Sequence, residues 1–144
     1  MLVERFSDGL EVECSVLGHR DPIASQPGEI VLTDSDWYDY KAKYQPGGMD
    51  LVVPARVPEA VREEVRRLAV EVFKIIDCSG MARVDFFVEG DRVLVNELNT
   101  IPGFTSTSVY AKLFDASGIP YVELLERLLA IAMERYEEDR RYRH

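Results

Sequence analysis

The sequence predicts an α+β domain, a mostly antiparallel sheet with helices packed on it. Three observations carry that prediction. Short alternating or apolar runs at 11–17, 30–32, 82–88 and 92–98 read as strands. Residues 58–76 and 120–133 repeat their apolar side chains at helical spacing. Glu89-Gly90-Asp91 joins the last two strand runs, a hairpin signal that makes that pair antiparallel. At 144 residues the chain fits one domain, 1–144, with enough length for a real core.

In the first strand Val12, Cys14 and Val16 share one face, and Glu11, Glu13 and Ser15 the other. Gly18 to Gly28 holds Asp21-Pro22 and Pro27-Gly28, a turn-rich connection around a short strand near Ile23 and Ala24. Ile30-Val31-Leu32 reads as a third strand. Residues 34–55 show no sustained period, and Pro46-Gly47-Gly48 interrupts them. A long irregular stretch in a compact domain is functional or disordered, and Trp37, Tyr38, Tyr40 and Tyr44 argue against plain disorder.

Pro58 opens a helix whose stripe is Val61, Val65, Leu68, Ala69, Val72, Phe73 and Ile76, with Gly80 at its end. A short helix is expected within Thr105–Ser117, ending near Gly118. Pro120 opens the last helix, with Val122, Leu125, Leu128, Leu129, Ala132 and Met133 as its apolar stripe. The terminal "RYEEDRRYRH" is mixed in charge and is expected to fray.

Composition narrows the function. Hydrophobic residues at 47% and charged residues at 30% describe a soluble globular chain. A net charge of −9 argues against nucleic-acid binding, which needs a basic face. No apolar run approaches the roughly 18 residues of a membrane span, and no signal peptide is visible, so no membrane partner is expected. The opening Met1-Leu2-Val3-Glu4-Arg5-Phe6 looks like mid-strand sequence and suggests a fragment of a longer protein. Cys14 and Cys78 read as buried free thiols in a reducing cytosol. Two histidines and two isolated cysteines assemble no zinc ligand set, so any metal would be a hard cation held by oxygen.

The chemistry concentrates in two strands and the turn behind them. Arg83 and Asp85 share a strand face. Glu97 and Asn99 share another, directly before Pro102-Gly103. Spacing leaves two readings open, a surface ion-pair cluster or a cation site with an arginine anion clamp. The cation reading carries a geometric condition. A two-residue Gly90-Asp91 loop would set Glu89 opposite Arg92 and Asp85 opposite Asn96, leaving Glu97 on the far face. The site therefore needs a bulge or a three-residue loop. The longer loop would set Asp85 opposite Val95 and Arg83 opposite Glu97. Beyond it, Gly103 lets its backbone N–H approach a ligand, and Ser106, Thr107 and Ser108 lead into the short helix. Those hydroxyls fit an ordinary N-cap or an anion site.

Taken together, "GLEVECSVLG" (9–18), "WYDYKAKYQPGG" (37–48), "GMARVDFFV" (80–88), "NELNTIPGFTSTSVY" (96–110) and "LFDASGIPYVELLERLLAIA" (113–132) resemble the C-terminal part of D-alanine–D-alanine ligases, an ATP-grasp family. The resemblance runs from about residue 3 to 135. It implies the C-terminal part of an ATP-grasp domain. The family's N-terminal domain and most of its glycine-rich-loop subdomain are absent. It also implies ATP-dependent joining of two D-alanines through an acylphosphate, for peptidoglycan, cell-wall biogenesis and cell shape, in the cytoplasm.

By motif match, Asp85, Glu97 and Asn99 resemble the ligands of two Mg2+ ions (Mn2+ being possible), with Glu97 as the bridge. Arg83 and the Gly103 N–H resemble the groups that stabilise the tetrahedral oxyanion. Ser108 and the Val109 backbone resemble the site for the second substrate's carboxylate. Lys43 and Tyr44 fall in the family's mobile omega loop, on ATP phosphate and at the closing face. Without the partner half, residues 34–50 are expected to move. Glu11 resembles the ribose-binding glutamate and Glu4 lies in the adenine-side hinge. His19 stands where the family's pattern has asparagine.

The partners implied are D-alanine, the missing N-terminal half and, for the full-length enzyme, a second copy in a homodimer. This chain alone is expected to have little or no ligase activity. Two alternatives stand beside this reading. One is a ligase making D-Ala-D-lactate or D-Ala-D-Ser. The other is a non-catalytic ATP-grasp-like binding module.

Overall fold

The structure, a computed structural model, describes residues 1, 3, 5–32 and 49–141. The described elements run β1 (Leu10–Gly18), β2 (Ile23–Ala24), β3 (Gly28–Leu32), β4 (Met49–Val52), α1 (Glu59–Ile75), β5 (Gly80–Glu89), β6 (Arg92–Asn99), α2 (Val109–Asp115) and α3 (Tyr121–Arg141). The strands form one sheet in the order β4-β3-β1-β5-β6, with β2 beside β1. Every pairing between them is antiparallel. The expected α+β architecture is therefore present. β4 was not foreseen in the irregular stretch at 34–55. Its four residues are too few to display a period, and pairing with β3 defines it.

The sheet is covered differently on its two faces. On one face Val12, Cys14, Val16, Ala82, Val84, Phe86 and Val88 meet Val61, Val65, Ala69 and Phe73 of α1. Those α1 residues recur every four positions and are fully or almost fully buried, so one stripe of the helix seals the core. On the other face, α2 and α3 cover one end. There Leu17 packs with Tyr110, Ala111, Phe114, Ile119 and Leu124. The Tyr110 hydroxyl donates to the Val16 carbonyl at 3.0 Å, tying α2 to β1. Among the described residues no helix covers the rest of that face, which carries Glu13, Arg83 and Asp85 and the candidate site.

Two boundaries and one helix face differ from the sequence expectation for physical reasons. α1 stops at Ile75, and the reversal falls at Asp77, φ 54°, not at Gly80. Cys78 N–H donates to Phe73 O and Asp77 N–H to Lys74 O, both at 3.0 Å. This Schellman closure normally uses glycine, and here it uses aspartate. The inward stripe of α3 is Tyr121, Leu124, Leu128 and Ile131. Of the stripe expected from periodicity, Leu128 is inward, while Val122, Leu125, Leu129, Ala132 and Met133 are exposed, because the helix is apolar on two sides and periodicity alone cannot choose between them. α3 also continues to Arg141 instead of fraying. His19 Nε2 lies 3.0 Å from Glu138 Oε2, and Arg20 pairs with the same carboxylate, which holds the last turns against the end of β1.

Candidate active site

β5 and β6 close through a two-residue Gly90-Asp91 loop, with Glu89 opposite Arg92. By itself that loop would separate the proposed ligands. The ladder contains the compensating bulge. Val95 sits opposite Phe86, but Glu97 sits opposite Asp85, so Asn96 is the extra residue. Before the bulge Val93 packs on the α1 core, and after it Leu98 does. One added residue changes the parity of the strand, so Glu97 and Asn99 turn to the open face. Arg83 lies opposite Asn99, not opposite Glu97 as the three-residue loop would require.

Pairing of β5 with β1 completes the array. One row reads Glu13, Asp85, Glu97, and the next reads Ser15, Arg83, Asn99. Asp85 is 3% exposed at the centre, and Glu97 stands exposed at the rim. Arg83 donates from Nε to Asp85 Oδ1 and from Nη2 to Asp85 Oδ2, both at 2.7 Å. Its Nε also lies 3.1 Å from Glu13 Oε2. Asn99 Nδ2 donates to Glu97 Oε1 at 3.1 Å and to Asp85 Oδ2 at 3.4 Å.

Three carboxylates thus surround one guanidinium. Burial raises the Asp85 carboxyl above its ordinary pKa. Arg83 opposes that shift, while Glu97 and Glu11 add to it. Burial also works against the charge of Arg83, but its hydrogen bonds to Asp85 and the fields of Glu13, Asp85 and Glu97 outweigh it. The Arg83 pKa is raised as a result.

A cleft of about 290 Å³ opens over these rows, lined by Glu13, Arg83, Glu97, Asn99, Gly103 and Val109 among others. Among the described residues a Cβ on Gly103 would meet only the Ser108 hydroxyl, at 3.5 Å, so they leave room for a side chain there. Ser108 occupies the N-cap position of α2 without capping it. Its hydroxyl accepts from Thr105 N–H and pairs with Thr105 Oγ1, each at 2.9 Å. Glu11 lies outside this cleft. It lines an adjoining cavity of about 890 Å³ whose walls include Phe6, Leu10, Ile30, Val31 and Phe87.

Of the sequence-predicted residues, Arg83, Glu97, Asn99, Gly103 and Val109 line one cleft, Asp85 is hydrogen-bonded to Arg83 behind it, Ser108 adjoins Gly103 and Val109, and Glu11 lines a separate cavity. Glu4, Lys43, Tyr44 and residues 34–48 of the stretch expected to move lie outside the described residues, whereas Met49 and Asp50 at its end are paired with β3 as part of β4. Glu13 was missed as a site residue. The alternation of β1 had put it on the polar face, but only the pairing of β1 with β5 places it beside Asp85 and Arg83. Cys14 is buried with a thiol pushed up to about 12 by burial, and Cys78 is also free, so neither belongs to this chemistry.

Residues 1–130 match the family described as D-ala D-ala ligase C-terminus. The chain belongs to that family. It is 50% identical over 141 residues to a D-alanine–D-alanine ligase of Acetivibrio thermocellus, covering 96% of this chain and 37% of that protein. Among solved structures it superposes on the D-alanine–D-alanine ligase of Coxiella burnetii with TM-score 0.82 and 41% identity, over 96% of this chain and 36% of that one. The VanG D-Ala:D-Ser ligase of Enterococcus faecalis gives TM-score 0.76 and 35% identity, over 88% and 37%. A Bacillus anthracis D-alanine–D-alanine ligase complexed with ATP gives 0.75 and 26%, over 94% and 42%. The chain thus spans little more than a third of the length of the curated ligases it matches.

Proposed function

We propose that this chain is the phosphate- and oxyanion-binding part of an ATP-dependent D-alanine–D-alanine ligase whose remaining residues lie in a longer protein. The observation that carries the reading is the Asn96 bulge, which turns Glu97 and Asn99 to the face that holds Asp85 and Arg83. Family membership and 50% identity to a ligase support the substrate class.

The donor set fits a hard cation. It is all oxygen-bearing and carries more acid than base, with Glu13, Asp85 and Glu97 in one row beside Arg83. Among the described residues no three acidic, histidine or cysteine side chains form a ready cage. Mg2+ keeps few protein ligands and shares phosphate oxygens, so Asp85, Glu97 and Asn99 would be enough to hold it beside ATP. In this structure the Asn99 amide presents its NH2 to both carboxylates, and turning it over would present oxygen instead. Bound there, the ions would supply charge neutralisation to the phosphate oxygens of ATP.

The chain's own groups have these roles in the reading. Asp85, Glu97 and Asn99 hold the ions. Arg83 and the Gly103 N–H receive the negative oxygen that develops when the second D-alanine's amine attacks the acylphosphate. Ser108 and the Val109 backbone receive that substrate's carboxylate. Glu11, in the apolar-walled cavity, receives the ribose. Lys43 and Tyr44 close over the phosphates and exclude water. Glu4 borders the adenine. The N-terminal half supplies the first D-alanine's site, and the whole enzyme works in the cytoplasm, as a homodimer, for peptidoglycan.

The test is phosphate release by the complete gene product. Release should require both ATP and D-alanine, and Glu97→Ala should lower kcat by about 100-fold or more. Release independent of D-alanine, or none at all, would sink the ligase reading. A D-Ala-D-Ser product is the second reading, favoured by the likeness to VanG. Mass spectrometry of products from mixed D-alanine, D-serine and D-lactate distinguishes the two.

A further inference from the structure

We infer that Glu13 is a positioning residue for Arg83, keeping the guanidinium aimed into the cleft while Asp85 is engaged elsewhere. The inference rests on the ligase reading and extends it to a residue outside the ligand and oxyanion sets. Glu13 is 4% exposed, lines the cleft, and stands on β1 opposite Asp85. Its Oε2 lies 3.1 Å from Arg83 Nε, the same nitrogen that donates to Asp85 Oδ1 at 2.7 Å.

The arrangement is asymmetric. Asn99 Nδ2 lies within 3.4 Å of Asp85 Oδ2 and 3.1 Å of Glu97 Oε1, so the proposed ligands cluster on the β6 side of Asp85. Glu13 approaches from the β1 side, where it contacts Arg83. In the structure both Asp85 oxygens serve Arg83. A carboxylate that turns its lone pairs to a cation weakens those hydrogen bonds, and the cation also repels the guanidinium. Without a second anchor, Arg83 would swing out of the geometry an oxyanion needs. Glu13 is that anchor. Nε carries one hydrogen, given in the structure to Asp85 Oδ1; when Asp85 turns away, buried Glu13, 3.1 Å from Nε, is placed to accept it and leave the Nη atoms to turn toward substrate.

The experiment uses the complete gene product and the variants Glu13→Gln, Arg83→Met and the double variant. Glu13→Gln should lower kcat by about 10- to 100-fold, the scale of a misplaced catalytic group, with KM for ATP within about threefold of the parent. In the Arg83→Met background the same change should cost less than about twofold, since the group it positions is gone. A kcat within twofold of the parent, or an equal loss in both backgrounds, overturns the inference while leaving the ligase reading intact.

Glu13→Asp keeps the charge at shorter reach and should lose about 3- to 10-fold. It serves if Glu13→Gln does not fold, and parental kcat in Glu13→Asp also overturns the inference. An activity-independent readout is the Nε–H signal of Arg83 in 15N-arginine protein. Saturating Mg2+ and ATP should leave it sharp in the parent and broaden it away in Glu13→Gln. A signal that stays sharp in both overturns the inference. If the parent forms no dipeptide, the ligase reading fails and this signal alone decides the role of Glu13.

Discussion

Replacing Asp85 with asparagine tests the charge balance of the site most sharply, because two simple expectations disagree. The side chain makes two 2.7 Å hydrogen bonds to Arg83 at 3% exposure, which suggests a large loss. Removing one partner of a buried ion pair usually costs about 3–5 kcal/mol, because the other charge is left uncompensated. Here Arg83 is not left alone. Glu13 lies 3.1 Å from its Nε, and Glu97 adds to its field.

Asp85→Asn therefore gives up about one charge-assisted hydrogen bond, roughly 1.5–3 kcal/mol. It also lifts the desolvation of a buried carboxylate, a cost of several kcal/mol. The variant should lie within about 2 kcal/mol of the parent at pH 7, on the stable side. The sign with pH follows from the raised Asp85 pKa. Between the ordinary value of 3.8 and that raised value, the folded chain binds more protons than the unfolded one, so this carboxyl makes stability fall as pH rises through the window. Asparagine has no such slope. Urea melts of both proteins should therefore show the variant gaining on the parent from pH 4 toward neutrality. Comparing the pair cancels Glu29, Glu89 and Glu138, whose lowered pKa values act in the opposite direction. A pH-independent loss of 3 kcal/mol or more would refute the reasoning.

Three further outcomes follow from packing and register. Gly103→Ala should change stability by less than about 0.5 kcal/mol, since among the described residues its Cβ meets only Ser108 Oγ at 3.5 Å. It should nevertheless lower kcat of the complete enzyme, by crowding whatever approaches that N–H; thermal melts and steady-state kinetics separate the two effects. Deleting Asn96 should regularise the β5–β6 ladder while keeping Glu97 opposite Asp85 and Leu98 opposite Val84. That variant should fold within about 1 kcal/mol of the parent, and cross-strand NOEs would report a slipped register if the reasoning is wrong. Phe73→Ala removes a fully buried ring from the α1 core and should cost about 3–5 kcal/mol in a urea melt.

Much of the fold was legible because its signals were local. Alternation marked β1, β5 and β6, and four-residue recurrence marked α1. What was not legible depended on partners distant in sequence. β4 exists because β3 lies beside it. The inward side of α3 is decided by Leu17, Tyr110 and Phe114, which choose between two apolar faces of one helix. The site divides the same way. The motif from Asn96 to Ser108 carried the chemistry, and arithmetic on the hairpin showed that a bulge or odd loop was required. Only the paired strands showed that the bulge is at Asn96 and that Arg83 faces Asn99. Glu13 escaped notice because its meaning comes from Arg83 and Asp85 across the sheet.

The central claim is that the Asn96 bulge gathers Asp85, Glu97 and Asn99 into a site that holds a divalent cation together with ATP phosphates. Paramagnetic relaxation by Mn2+ tests it most directly, with ATP present and the complete gene product labelled with 15N. Amide signals of Arg83 to Asp85 and Glu97 to Asn99 should be lost first. Those of α1 and β4 should persist, and Glu97→Gln should abolish the selectivity. Early loss elsewhere with the β5–β6 signals intact, or an unchanged pattern in Glu97→Gln, would contradict it.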